Sequence, residues 1–152
     1  MTVATDEKLN VLAEFLGISD DENELQDIVR EDDEGLYSYG NQEYLVLTDS
    51  EADKKAEDEI KNSLWAFNAD FIIRHCKNYD DMTDWEYNAS VKSLKQAQAS
   101  QCESLNALVF ALIDDIDDFV EAAIMSDGRG HFISFYDGYE NDMGEYFIYR
   151  VN

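Results

Sequence analysis

The chain has 152 residues, 45% of them hydrophobic and 12% aromatic, with 35 acidic against 11 basic side chains and a net charge of −24. That apolar content supports one domain with a real core and opposes disorder, which needs low hydrophobicity as well as high charge. The charge excludes nucleic acid and anionic membrane as direct partners, because the field repels polyanions over a Debye length of ~8 Å at physiological salt.

The acids are unevenly placed. Residues 1–53 hold 16 acids and 2 bases, residues 54–100 hold 8 and 7, and residues 101–152 hold 11 and 2. An even spread, as halophilic adaptation would give, is not the pattern. No run approaches the ~20 apolar residues of a membrane span. The start, MTVATDEKLN, lacks a basic region followed by an apolar one, so a cytoplasmic protein is the expectation.

Thr5 is a suitable N-cap for a first helix with Leu9, Leu12, Ala13 and Leu16 on one face and Gly17 as its stop. Ser19 to Glu22 reads as a capping box for a short second helix carrying Leu25, Ile28 and Val29. Glu31, Asp32, Asp33 and Glu34 then follow the expected helix C-terminus, where the dipole disfavours carboxylates. Residues 36–39 and 43–48 alternate in the manner of strands, with Gly40-Asn41 able to turn a hairpin between them. Thr48 to Glu51 and Thr83 to Glu86 are further capping boxes, opening helices through Phe67 and through Ala97.

The longest apolar periodicity spans residues 100–125. Leu105, Leu108, Val109, Leu112, Ile113, Ile116, Phe119, Val120, Ala123 and Ile124 form one stripe, predicting a helix of roughly 37 Å between a capping box at Ser100 and Glu103 and a stop at Asp127-Gly128. Asp114, Asp117, Asp118 and Glu121 recur at helical spacing opposite that stripe, and no Lys or Arg occurs from Gln96 to Gly128. Such like charges repel by a few tenths of a kcal/mol per pair, which solubility alone does not require. Beyond Gly128, residues 131–136 and 145–151 are aromatic and β-branched and read as a C-terminal hairpin.

The fold expected is therefore α+β: a helix-rich single domain, residues 1–152, with one small antiparallel sheet including a C-terminal hairpin. Its expected core contains Leu64, Phe67, Leu108, Leu112, Ile116, Phe119, Phe132 and Ile148.

Catalytic chemistry finds little support. His75 lies beside Ile72 and Ile73, where a packed histidine is commoner than a base. His131 follows Gly128-Arg129-Gly130, but this glycine pair precedes an expected strand, whereas phosphate cradles precede a helix. The Asp and Asn of residues 78–82 and 137–142 depart from the calcium-loop pattern, and Cys76 and Cys102, inside helical patterns without CxxC spacing, read as buried thiols. No enzyme, metal or cofactor is expected.

The phrases EYLVLTDSEADKKAEDEIKNSLWAFNADFI and DGRGHFISFYDGYENDMGEYFIYRVN, about a third of the chain, resemble blocks in uncharacterised small acidic proteins of tailed phages and mobile elements. The resemblance implies a bacterial host cell and a setting in which small acidic proteins often inhibit host defence. The expected function is a phage-type inhibitor of a nucleic-acid-handling defence protein, anti-CRISPR or anti-restriction, acting by nucleic-acid mimicry. Its partner is then a protein with a basic nucleic-acid-binding groove, met by Asp114, Asp115, Asp117, Asp118, Glu121 and Asp127 together with Glu31, Asp32, Asp33 and Glu34. Two alternatives stay open: an immunity-type inhibitor plugging a toxin nuclease, and a non-mimic adaptor acting through the neutral middle segment, which would also permit a homodimer.

Overall fold

The computed structural model describes residues 6–18 and 22–152, so the expected cap at Thr5 and the start of the capping box at Ser19 lie outside the described residues. The architecture is α+β, with one small antiparallel sheet that includes a C-terminal hairpin. Two compact units make up the chain: Met1–Ala56 with Asp127–Asn152, and Glu57–Ser126.

In the first unit, α1 (Glu7–Leu16) starts where Asp6 Oδ1 accepts the Leu9 N–H at 3.0 Å and stops at Gly17, whose φ of 71° only glycine adopts without strain. The one-turn α2 (Glu22–Leu25) ends early, and Ile28 and Val29, expected on its helix, belong instead to β1 (Ile28–Arg30). Strand β2 (Leu36–Tyr39) pairs with β1 and with β3 (Gln42–Thr48) across the expected Gly40-Asn41 turn. With β4 (Asn141–Asp142) and β5 (Tyr146–Arg150) the sheet order is β1-β2-β3-β5-β4, every pair antiparallel, with Val46 opposite Ile148 of β5. Tyr37, Tyr44, Val46 and Ile148 form one core with Leu12, Ala13, Leu25 and Ile28.

Helix α3 (Asp49–Asn62) opens on the expected capping box: Thr48 N–H donates to Glu51 Oε1 at 2.9 Å and Glu51 N–H to Thr48 Oγ1 at 3.3 Å. In the second unit a 3-10 turn (Leu64–Ala66) interrupts the expected continuation to Phe67 and leads to α4 (Ala69–Arg74). Helix α5 (Asp84–Gln101) begins on the Thr83 and Glu86 capping box and runs through Ser100, whose hydroxyl donates within the helix to Gln96 rather than capping a new one.

The single helix expected over residues 100–125 is two: α6 (Asn106–Leu112) and α7 (Ile116–Asp127). Between them Ile113 is extended, with ψ 131°, and bridges to Cys76: Lys77 N–H donates to the Leu112 carbonyl at 3.1 Å and Asp114 N–H to the His75 carbonyl at 2.9 Å. Asp115 then restarts the helix, its Oδ1 accepting the N–H groups of Asp117 at 3.0 Å and Asp118 at 3.3 Å. Short acidic side chains compete with helix interiors in this way and favour caps.

The break rotates the stripe. Leu64 and Phe119 are fully buried as expected, and Phe132 and Ile148 are buried in the first unit, whereas Phe67 and Ile116 are half-buried. Leu108 and Leu112, expected in the core, are 54% and 40% exposed. Residues 131–136 are likewise not a strand: α8 (Arg129–Ile133) occupies their first half, and the hairpin partner of β5 is the short β4 (Asn141–Asp142). Gly130 permits this, since a Cβ there would lie 2.5 Å from the Gly138 carbonyl oxygen. Here tertiary packing overrides the β-propensity of His131 to Tyr136.

Candidate partner interface

The ten carboxylates predicted to meet a partner are all exposed, and the fold sorts them into two groups. Glu31, Asp32, Asp33 and Glu34 sit in the turn between β1 and β2, not after a helix, so no dipole opposes them. They also have local work. Asp32 Oδ1 accepts the N–H of Glu34 at 2.8 Å and of Leu36 at 3.0 Å, Asp33 pairs with Arg30 at 3.2 Å, and Glu31 accepts the Ser38 hydroxyl at 2.6 Å. The cluster builds a tight acidic turn, for which short side chains accepting backbone N–H groups are the usual means.

The second group lies in the other unit. Asp115 caps α7, and Asp117 and Asp118 occupy its first turn, where the helix dipole favours negative charge by ~0.3–1 kcal/mol each. The repulsion inferred for one continuous helix is therefore offset at its new start. Glu121 lies one turn further along, and Asp114 precedes the cap with its backbone tied to His75. No ion pair is formed by the side chains of Asp114, Asp117, Asp118 or Glu121 among the described residues, and residues 96–128 contain no cation to form one locally. Asp127 closes α7 and belongs to the first unit.

Spacing sets what this patch can imitate. Asp117, Asp118 and Glu121 fall within about 6 Å of helix axis, or one charge per ~2–3 Å, between the 3.4 Å per charge of a single DNA strand and the 1.7 Å of a duplex. The density is that of nucleic acid, over a few phosphates and not over a long rod.

Of the other candidate residues, His75 and Ser134 are held by hydrogen bonds and packing. His75 Nδ1–H donates to the Phe71 carbonyl at 2.8 Å, and its ring meets Phe71 at 4.6 Å and Phe119 at 5.2 Å between centroids. The buried Ser134 hydroxyl accepts the Gly138 N–H at 3.2 Å and lies 2.9 Å from Asp137 Oδ1, while His131 is exposed on α8. Cys76 is half-buried, which pushes its thiol pKa up, but Cys102 is exposed, contrary to expectation. Among the described residues no group of three or more His, Cys, Asp or Glu is arranged to hold a metal, and no helix is long and apolar enough to cross a membrane.

Neither family models, nor curated proteins, nor solved structures give a match to this chain.

One feature escaped the sequence reading. Helix α6 exposes Leu108, Phe110 and Leu112, and beside it runs an apolar groove lined by Met82, Leu94, Ala97, Leu105, Leu108 and Leu112 among others, with a volume near 470 Å³. The signal was present in SLNALVFALI, residues 104–113, whose apolar residues surround the helix instead of marking one stripe.

Proposed function

We propose that this protein is an inhibitor that docks on the basic nucleic-acid-binding groove of a host defence protein and holds carboxylates where phosphates would lie. The observation that carries the reading is the α7 patch: Asp114, Asp117, Asp118 and Glu121 exposed in a stretch of chain without a single Lys or Arg. Surplus charge concentrated in residues 1–53 and 101–152, and absent from the neutral middle segment, is costly for a lone protein and useful against a complementary one. The phage-like resemblance supports the same direction.

The test is competition. A preformed complex with a candidate target, such as a restriction endonuclease or a guide-loaded CRISPR effector, is titrated with duplex DNA while displacement is followed by fluorescence anisotropy. Displacement by DNA is expected, together with weakening by at least tenfold when Asp117, Asp118 and Glu121 become Asn, Asn and Gln. The same number of changes at Glu14, Asp27 and Glu145 should leave binding within twofold. Binding that survives saturating DNA rules the mechanism out.

A further inference from the structure

We infer that the groove beside α6 receives an amphipathic helix of the partner, one that carries Lys or Arg beside its apolar row; this rests on the reading that the partner is a basic protein. The groove lies within the second unit. Ser90, Ser93, Leu94 and Ala97 of α5 stand at i, i+3, i+4 and i+7, a single helical face whose small residues keep that wall low. Leu105, Leu108, Ala111 and Leu112 form the other wall, and Ile73 and Met82 line it as well. A protein of net charge −24 has ample polar surface to cover such a patch, yet leaves Leu108 and Leu112 of the groove 54% and 40% exposed. Contiguous exposed apolar surface with a polar rim marks an interaction site, and a trough between helices fits the anchors of a further helix.

Charge selects the occupant. Asn78 and Met82 line the groove, and between them in the chain Asp80 and Asp81 are exposed; Asp114 and Asp115 are exposed just past the lining residue Leu112, whose carbonyl accepts the Lys77 N–H at 3.1 Å. Lys77 is the one cation in the lining, while Lys92 and Lys95 stand about 200° and 140° around α5 from Ser90, away from the trough. Four exposed acids thus adjoin lining residues against the single cation Lys77, so a helix flanked by Lys or Arg gains there, and a second copy of this chain does not. The α6 and α7 surface that a copy would offer carries no cation from Gln96 to Gly128, so self-docking brings carboxylates against carboxylates.

The experiment uses the full chain and a fluorescein-labelled peptide with Leu at i, i+3, i+4 and i+7 and Lys elsewhere, read by anisotropy at moderate salt. A peptide of the same composition with its Leu and Lys order scrambled reports charge attraction alone. Saturable binding of the amphipathic peptide, at least tenfold tighter than the scrambled one, is expected. Leu108→Asn, at a half-exposed position, and Ser93→Trp, which fills the trough, should each weaken it at least tenfold, with circular dichroism verifying the fold. Equal binding of both peptides overturns the inference, as does no binding of either. So does a dimer by sedimentation that Leu108→Asn converts to monomer, because the occupant is then a second copy. Neutralising Asp117, Asp118 and Glu121 should reduce the DNA-competition effect while leaving the ratio between the two peptides in place, so the α7 reading and the groove stand or fall separately.

Discussion

Arg129 concentrates more interactions than any other cation described in the first unit, and its removal has a magnitude that can be worked out. Its side chain is only 11% exposed, with Nη1 at 2.9 Å from Asp49 and 3.0 Å from Asp53, and Nε at 2.8 Å from Glu140. The guanidinium also covers the Phe147 ring at 4.7 Å. Burial works against its charge, but the bonds to Glu140, Asp49 and Asp53 outweigh burial and raise its pKa above the ordinary arginine value. Asp49 and Asp53 are 73% and 62% exposed, so each pair is worth only ~0.2–1 kcal/mol. The less exposed Glu140 bond should contribute ~1.5–3 kcal/mol and the ring contact ~0.5–1 kcal/mol. Since one group makes all of these, non-additivity brings Arg129→Met to a loss of about 3 kcal/mol, a large share of a total of ~5–15 kcal/mol. Urea unfolding followed by circular dichroism measures it. Adding Asp49→Asn and Asp53→Asn to Arg129→Met should restore part of the loss, because the carboxylates left facing each other are what remains. A loss under ~1 kcal/mol, or no restoration, refutes the account.

Self-repulsion at net −24 should make the melting temperature rise between low and moderate NaCl, and rise further with millimolar Mg²⁺; a flat response means that the acids are too well separated to matter. Tyr37 and Tyr149 are buried, and burial followed by hydrogen bonds to Asp6 and Glu140 raises both phenol pKa values. A raised folded pKa gives stability that is whole below the unfolded value near 10 and is lost above it, by ~1.4 kcal/mol per pH unit per tyrosine, so urea midpoints should fall from about pH 10 upward and Tyr149→Phe should flatten that fall. Asp115→Ala should cost about 1 kcal/mol through its lost cap, while Asp115→Asn, which can still accept the two N–H groups, should cost a few tenths.

Where local chemistry was decisive, the sequence was readable. The capping boxes at Thr48 and Thr83 rest on side chains that bond the backbone three residues away, the Gly17 stop and the Gly40-Asn41 turn on the positive φ that glycine adopts, and the strand at residues 43–48 on its own run of apolar side chains. The failures share a cause. Periodicity ran straight through residues 100–125 because Ile113 is apolar whether it continues a helix or, as here, bridges to Cys76 from far along the chain. The D-x-x-D of Asp115 and Asp118 was itself a start signal, masked by reading those residues as a charged face. Likewise, residues 131–136 carry strand-forming side chains, but the close approach of Gly138 to Gly130, together with Arg129 anchored on Asp49 and Asp53, accompanies a short helix that ends at Ile133.

A continuous helix made four acids look like a structural burden and hence like function. With the helix restarted at Asp115, that residue and the first-turn Asp117 and Asp118 have a stabilising reason to be acidic, as do Asp32 and Asp33 in their turn. What structure alone leaves unexplained is narrower: Asp114 and Glu121, the exclusion of cations across residues 96–128, and the bare apolar flank of α6. Charge steers encounter and is screened by salt, whereas buried apolar contact sets how long a complex lasts. A patch matching only a few phosphates could not by itself hold a groove against its natural ligand, since each phosphate-like contact is readily exchanged for counterions. In the proposed complex the apolar trough beside α6 would add non-electrostatic contact to charge that orients the approach. There the acids would steer the encounter and α6 would set its lifetime.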